Sequence, residues 1–285
     1  MDAAEKISRD EFGDRMKAYE AVETSRRLDT SLPVYARIDG RGFSRFTRGM
    51  RRPFDPRMTE AMQATTRHLV AETDARLGYT QSDEISLIWE VPAGNPGSQM
   101  FFDGKVQKLC SVLAGMATAA FTRAVATSDD PEFTAYAGRL PHFDARVFNL
   151  PSRDEGANAF LWREMDATRN AVSMTAYANF SAKSLHAVSV AGMRERLTAA
   201  GVDFEAYPDA FKRGSYFRRA VVERTLSTAE RERIPERHRP APDALVIRTE
   251  VQRLDMPAFV TVANRAEVVF DGAAPETKSA PPSRS

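Results

Sequence analysis

A single cysteine, Cys110, stands among 285 residues, so no internal disulfide holds this chain together. That scarcity fits a reducing compartment, and a cytoplasmic location is expected. Cys110 sits in an apolar helical run and reads as a small buried hydrophobe rather than a reactive thiol. Histidine is scarce too. His68, His142, His186 and His238 are scattered, and none pairs with the cysteine or another histidine at zinc-ligand spacing, which argues against a zinc site. His142 lies near Asp144, but one neighbour makes no catalytic dyad, and a structural role is expected. Neither charge dominates. The formal net charge of +1 announces no global nucleic-acid field and leaves any RNA binding to local clusters. No run approaches the roughly 20 apolar residues of a membrane helix. The charged stretch Met1 to Arg15 lacks the apolar region of a signal peptide. No membrane partner is therefore expected. There is no internal repeat, and no nucleophile-elbow context surrounds Ser173 or Ser189.

What is present is the composition of a soluble globular protein, 42% hydrophobic and 28% charged, long enough to bury a substantial core. Ser8 to Arg27 reads as an amphipathic helix with Phe12, Met16, Tyr19 and Val22 on one stripe. Pro33 breaks the chain before a short apolar strand, Val34 to Ile38. A helix follows from Pro56 to Arg76, with Asp55 as N-cap and Pro56 at its first position. Met58, Met62, Thr65 and Leu69 form its inner stripe, and Gly78 is expected to terminate it. Tyr79 to Trp89 reads as two strands joined by a tight turn at Ser82-Asp83, and Pro92 to Gly97 as a loop. Phe101 to Ala126 is a second long helix, and Phe143 to Leu150 a further strand. The order strand, helix, hairpin, helix, strand is that of an α+β fold, a four-stranded antiparallel sheet with two helices on one face, and the ferredoxin-like or polymerase-palm arrangement is expected. Residues 1–152 are expected to be this palm-like core with its N-terminal helix. Residues 153–271 then form a mainly helical C-terminal extension, with helices over Arg153 to Phe180 and Ser189 to Ala200 and late strands over Ala244 to Val251 and Ala258 to Ala263. Thr228 to Pro242 reads as a charged excursion. The Ala-, Pro- and Ser-rich tail 272–285 is expected to be disordered.

The chemistry concentrates in two stretches, Tyr35-Ala36-Arg37-Ile38-Asp39-Gly40-Arg41-Gly42-Phe43-Ser44 and Gln81-Ser82-Asp83-Glu84. Each is a strand-like run meeting a turn, with carboxylate at the junction. Magnesium takes oxygen ligands, usually one or two carboxylates with substrate phosphates completing the shell. Asp39 and Asp83 suit that role if their strands lie side by side. The Gly40 carbonyl is a further candidate ligand, and amides of the glycine-rich loop are candidates to cradle a triphosphate. The plainer alternative is a pair of turns with ordinary carboxylate caps.

Arg37-Ile38-Asp39-Gly40-Arg41-Gly42-Phe43 together with Gln81-Ser82-Asp83-Glu84 resembles the tRNA-histidine guanylyltransferase family, including its guanylyltransferase-like 3′–5′ nucleotide-adding polymerases. Phe143-Asp144-Ala145-Arg146-Val147, Pro151-Ser152, Trp162-Arg163 with Asp166, and Lys212-Arg213-Gly214-Ser215 extend the likeness. The resemblance implies a palm fold, two magnesium ions, GTP and also ATP as substrates, tRNA as partner and a homotetramer. It implies that Asp39, the Gly40 carbonyl and Asp83 are metal ligands. Asp39, Gly40, Arg41, Gly42, Phe43, Ser44, Ser82 and Asp83 would bind the nucleoside triphosphate, with Asp39, Asp83 and a supporting Glu84 as catalytic carboxylates. The implied reaction activates a tRNA 5′ end with a nucleoside triphosphate and then joins it to the 3′-hydroxyl of GTP.

The departures fall elsewhere. The family's histidine and paired asparagines are replaced by Ala167-Thr168-Arg169-Asn170-Ala171-Val172-Ser173, and Arg52 stands where lysine is usual. A nucleotide cyclase on the same palm and an inactive RNA-binding relative are the alternatives. Two basic segments stay open between readings. Arg45, Arg48, Arg51 and Arg52 are either a solvated face or phosphate contacts. Tyr207, Phe211, Tyr216 and Phe217, interleaved with Lys212, Arg213, Arg218 and Arg219, are either an RNA-stacking surface or core.

Overall fold

The computed structural model describes residues 9–91 and 100–278. The expected loop at Pro92 to Gly97 and the last seven tail positions lie outside those residues.

Alternating apolar residues build one sheet. Strands β1 (Val34–Gly40), β2 (Leu77–Gln81), β3 (Glu84–Trp89), β4 (Phe143–Asn149), β5 (Ser215–Thr225) and β6 (Leu245–Arg253) order as β4-β1-β3-β2-β5-β6, with every pairing antiparallel. The expected palm is its first four strands. The expectation of a four-stranded sheet falls short by two, because β5 adds to β2 through Ser215, Tyr216 and Phe217. The two sheet faces alternate along each strand. Val34, Ala36 and Ile38 of β1 face one core, while Tyr35 faces the other.

The helices, in chain order, are α1 (Arg9–Thr24), α2 (Phe43–Phe46), α3 (Pro56–Thr73), α4 (Val106–Ala126), α5 (Pro131–Thr134), α6 (Arg153–Asn179), α7 (Val190–Ala199), α8 (Asp209–Lys212), α9 (Thr228–Glu232) and α10 (Arg265–Phe270). The pair α3 and α4 covers the first face, burying Met62, Leu69, Leu109, Leu113 and Phe121. The second face is closed by α6 and α10 through Phe160, Val268, Val269 and Phe270. Local chemistry sets the helix starts. Asp55 caps α3, accepting from the Arg57 amide at 3.0 Å, and Ser152 caps α6, accepting from the Glu155 amide at 3.2 Å. By length and composition α4 is apolar enough to cross a membrane, contrary to the reading of apolar runs, but its apolar stripe is buried against the sheet.

Several boundaries differ from expectation for physical reasons. Gly78 does not end α3. The helix stops at Asp74 in a left-handed conformation (φ 54°), and Gly78 lies within β2, where a Cβ would meet Val70 Cγ2 at 2.5 Å. The helix expected from Phe101 begins at Val106, because Phe102 and Asp103 take positive φ in a preceding turn. Ala258 to Ala263 is not a strand. A short 3-10 turn over Phe259–Thr261 buries Phe259 and Val262 instead. The apolar stripe of α1 is not an inner one: Val22 is 75% exposed and Tyr19 65%. The tail is held as far as Lys278, whose amide donates to the Thr261 carbonyl at 2.8 Å, so disorder is not what positions 272–278 show.

Candidate active site

Antiparallel register brings the two sequence stretches together. Asp39, the sixth residue of β1, is the Cα partner of Glu84 on β3 and of Asp144 on β4. Gly40 donates its amide to the Asp83 carbonyl at 3.0 Å, tying the end of β1 to the hairpin tip, and the Arg41 amide donates to the His142 carbonyl at 2.8 Å. The hairpin turn consists of Ser82 and Asp83, with Ser82 held at φ 48°. Left-handed backbone at a non-glycine residue is costly and concentrates at functional turns.

The loop beyond β1 is fixed by aromatic packing. Phe43 and Phe46 are buried in a cluster with Phe121 and Phe143. A Cβ on Gly40 would lie 2.3 Å from Phe43 Cδ2, so close ring packing accounts for glycine there. Gly42, at φ 65°, turns the chain into α2. On the far side Arg139 straps the loop, donating Nη1 to the carbonyls of Phe46 at 2.6 Å and Arg48 at 2.7 Å.

The adjacent carboxylates are treated differently. Burial first, and then the neighbouring Asp39 charge, push the Asp83 carboxyl above its usual range; the Ser82 hydroxyl, donating at 3.0 Å, opposes them. Neither Asp39 nor Asp83 has an ion-pair partner among the described residues. Glu84 is only 6% exposed and is gripped by Arg163 of α6, whose Nε and Nη2 donate to its two oxygens at 2.5 and 2.8 Å. Burial pushes the Glu84 carboxyl up, and the Arg163 hydrogen bonds oppose that shift. Arg37 Nε stands 3.9 Å from Glu84, and Asp166 3.1 Å from Arg163. Glu84 therefore meets guanidinium on the interior side of the turn, whereas Asp39 and Asp83 are left as neighbouring anions.

Those two carboxylates fit a divalent cation. Mutual repulsion without a protein cation between them is what a bound metal would relieve, and oxygen donors suit magnesium. Among the described residues no group of three or more His, Cys, Asp or Glu side chains forms a ligand cluster. Any metal here would rest on two carboxylates completed by carbonyl, water or phosphate.

Beside Asp83 opens a cavity of about 650 Å³. Its walls include Phe43 and Ser44 from the loop, Ser82 and Asp83 from the hairpin, and Arg48, Arg51 and Arg52 from the segment before α3. Asp39, Gly40, Arg41 and Gly42 do not line it. The far wall is α6, through Ala167, Asn170, Ala171, Ser173, Met174 and Tyr177, so the segment that departs from the family's usual histidine and asparagines faces this cavity. Sequence reasoning missed this wall and the Arg163 grip; the signal available was Arg163 and Ala167 lying four residues apart on the inward stripe of one helix. Much of the aromatic-basic segment is core: Tyr216 and Phe217 are buried, and buried Lys212 donates to the Glu205 carbonyl at 2.8 Å, whereas partly buried Phe211, stacked on Phe54 at 4.5 Å, also lines the cavity.

Comparison with known proteins places this geometry. The family model for tRNAHis guanylyltransferase matches residues 13–151. A bacterial tRNA(His) guanylyltransferase-like protein solved in complex with ATP is 37% identical, covers 72% of this chain and 87% of its own, and superposes with a TM-score of 0.65. A bacterial protein of the same description, solved in complex with GTP, is 29% identical over 87% of this chain and 94% of its own, with a TM-score of 0.65. An uncharacterized protein of Acanthamoeba polyphaga mimivirus is 31% identical over 187 residues, 60% of this chain and 64% of that one.

Proposed function

The chain belongs to the tRNAHis guanylyltransferase family, a family of nucleotidyltransferases, and from that premise we propose a magnesium-dependent enzyme that adds guanylate to a tRNA 5′ end in the 3′–5′ direction. One observation carries the reading: two carboxylates without an ion-pair partner among the described residues, Asp39 and Asp83, meet beside a nucleotide-sized cavity whose wall bears Arg48, Arg51 and Arg52.

Asp39, Asp83 and the Gly40 carbonyl would hold magnesium, which supplies charge neutralisation at the phosphates and a lowered pKa for an attacking hydroxyl. The chain's own residues bind and orient. Ser44, Ser82 and the three cavity arginines hold the triphosphate of ATP or GTP, and guanidinium suits phosphate oxygens. In the first step an RNA 5′-phosphate oxygen attacks the α-phosphorus, the bond to the β-phosphate breaks, and pyrophosphate leaves. In the second, the 3′-hydroxyl of GTP attacks the activated 5′ phosphate, loses its proton, and a nucleoside monophosphate leaves. Glu84 contributes from behind: its pairing with Arg163 fixes β3 against α6, and with it the turn that presents Asp83. We include homotetrameric assembly in the proposal, and the solvent-facing stripe of α1 supports self-association.

The test incubates the protein with magnesium, labelled GTP and tRNAs having intact or truncated 5′ ends. Label is expected on RNA, and to be lost in Asp39→Ala and in Asp83→Ala. Cyclic or dinucleotide products without RNA labelling would replace this reading with a nucleotide cyclase.

A further inference from the structure

The chain carries two arginine-rich stretches, and the fold treats them in opposite ways. Between Lys212 and Arg219 the basic side chains are satisfied within the protein. Lys212 pairs with Glu205 and Asp209, Arg213 with Asp209 at 2.8 Å and Arg219 with Asp74, while Arg218 donates to the Ala273 carbonyl at 2.9 Å. Between β1 and α3 the opposite holds. Arg41, Arg45, Arg48, Arg51 and Arg52 are all exposed, and none has a side-chain hydrogen bond or an ion pair among the described residues. The buried carboxylate of that loop, Asp55, is taken by Arg57, which also pairs with Asp130 and Glu132.

Flexibility does not disperse these charges. Phe43 and Phe46 anchor the loop in the core, and Arg139, packed over Tyr136 at 4.2 Å, straps its carbonyls. Five like charges on a fixed backbone with no neutralising group among the described residues call for an anion. Position then sorts them. Arg48, Arg51 and Arg52 line the cavity beside Asp83. Arg41 and Arg45 do not line it. Arg41 is tied by its amide to His142, the residue before the edge strand β4, and Arg45 is exposed on α2 between the buried Phe43 and Phe46.

We propose that Arg41 and Arg45 are contacts for the phosphodiester backbone of the RNA substrate. They bring its 5′ end to Asp39 from the β4 side, while the nucleoside triphosphate enters from the α6 side. This rests on the reading that RNA is a substrate. It gives the two substrates separate approaches to one carboxylate pair and separates two groups of arginines that are continuous in sequence.

The experiment uses the full chain and an unmodified tRNA transcript. RNA affinity is followed by fluorescence anisotropy from 50 to about 300 mM KCl, and GTP affinity is measured separately without RNA. Wild type should bind RNA with a steep salt dependence. Arg41→Ala and Arg45→Ala should each flatten the slope of log affinity against log salt by about 1 and weaken RNA binding several-fold. The double variant should lose on the order of tenfold or more at low salt. Lysine at either position should restore most of the slope, and GTP affinity of Arg45→Ala should stay within about twofold of wild type. Unchanged RNA binding in the double variant would overturn the assignment, as would a loss confined to GTP binding. A change of oligomeric state with RNA affinity intact would overturn it in favour of a contact between copies. If wild type neither binds nor labels RNA, the underlying reading fails instead, and that outcome is distinct from the others.

Discussion

At the tip of the β2–β3 hairpin one peptide bond separates Asp83, with no cationic partner among the described residues, from Glu84, held by two guanidinium nitrogens of Arg163. The two are adjacent in sequence and both carboxylates, yet the pleat sends them to different surroundings. Glu84 belongs to the ladder, opposite Asp39, and points beneath α6. Asp83 belongs to the turn and borders the cavity. The arginines show the same division. Arg163 is buried and spends its charge on Glu84 and Asp166, whereas Arg48 is exposed on the cavity wall and has no ion-pair partner among the described residues. Paired buried charge fixes a shape, while unpaired charge at a cavity is available to a ligand.

The largest expected effect is on activity. Asp39→Ala or Asp83→Ala should lower nucleotidyl transfer by about 10³-fold or more, the scale of several kcal/mol in the transition state. Neither should unfold the protein. Asp83→Asn should even raise the midpoint of thermal unfolding in magnesium-free buffer, because it removes a partly buried charge repelled by Asp39. The sign follows from the raised folded-state pKa of Asp83. Ionised Asp83 costs stability above that pKa, and the cost fades as pH falls through it. The advantage of Asp83→Asn should therefore be greatest near neutrality and shrink toward acid; an advantage that grows toward acid would contradict the placement of Asp83.

Next in size is Arg163→Met. Removing one partner leaves Glu84 buried and uncompensated, at a cost of about 3–5 kcal/mol. Equilibrium urea unfolding should show the loss, and the double substitution Glu84→Gln with Arg163→Met should recover part of it. Equal losses in the single and double variants would mean that the pair is not coupled. Gly40→Ala should cost about 1–3 kcal/mol, because its methyl group overlaps the Phe43 ring and must displace the loop. A matching rise in KM for GTP would show that the displacement reaches the cavity. Smallest in stability is Arg48→Ala, expected within about 0.5 kcal/mol of wild type, with weaker GTP binding as its visible effect. The contrast with Arg163 fails if Arg48→Ala unfolds the protein as readily.

Much of this was legible in the chain. The palm order followed from strand, helix, hairpin, helix, strand, and the turn at Ser82-Asp83 from its polar residues between apolar runs. Asp39 and Asp83 could be singled out because one stands near the end of a strand and the other in the turn just before the next. Local pattern could not show that Glu84 is engaged, since its partner lies 79 residues away on a helix. Nor could it tell the two arginine-rich stretches apart: Asp74, which neutralises Arg219, is far away in sequence, and Asp55, nearest to Arg51 and Arg52, is diverted to Arg57. The strand expected at Ala258 to Ala263 failed for a related reason. Its apolar residues are buried by one tight turn whose Phe259 amide donates to Glu164 at 2.7 Å, a satisfaction that periodicity does not encode.

The most direct test of the division between Asp83 and Glu84 is a titration with Mn²⁺, used as a paramagnetic substitute for magnesium, followed by electron paramagnetic resonance in the presence of GTP. Wild type should take up manganese, Asp39→Ala and Asp83→Ala should lose that uptake, and Glu84→Gln, measured below its lowered unfolding temperature, should keep it. Loss of manganese in Glu84→Gln with retention in Asp83→Ala would contradict the account.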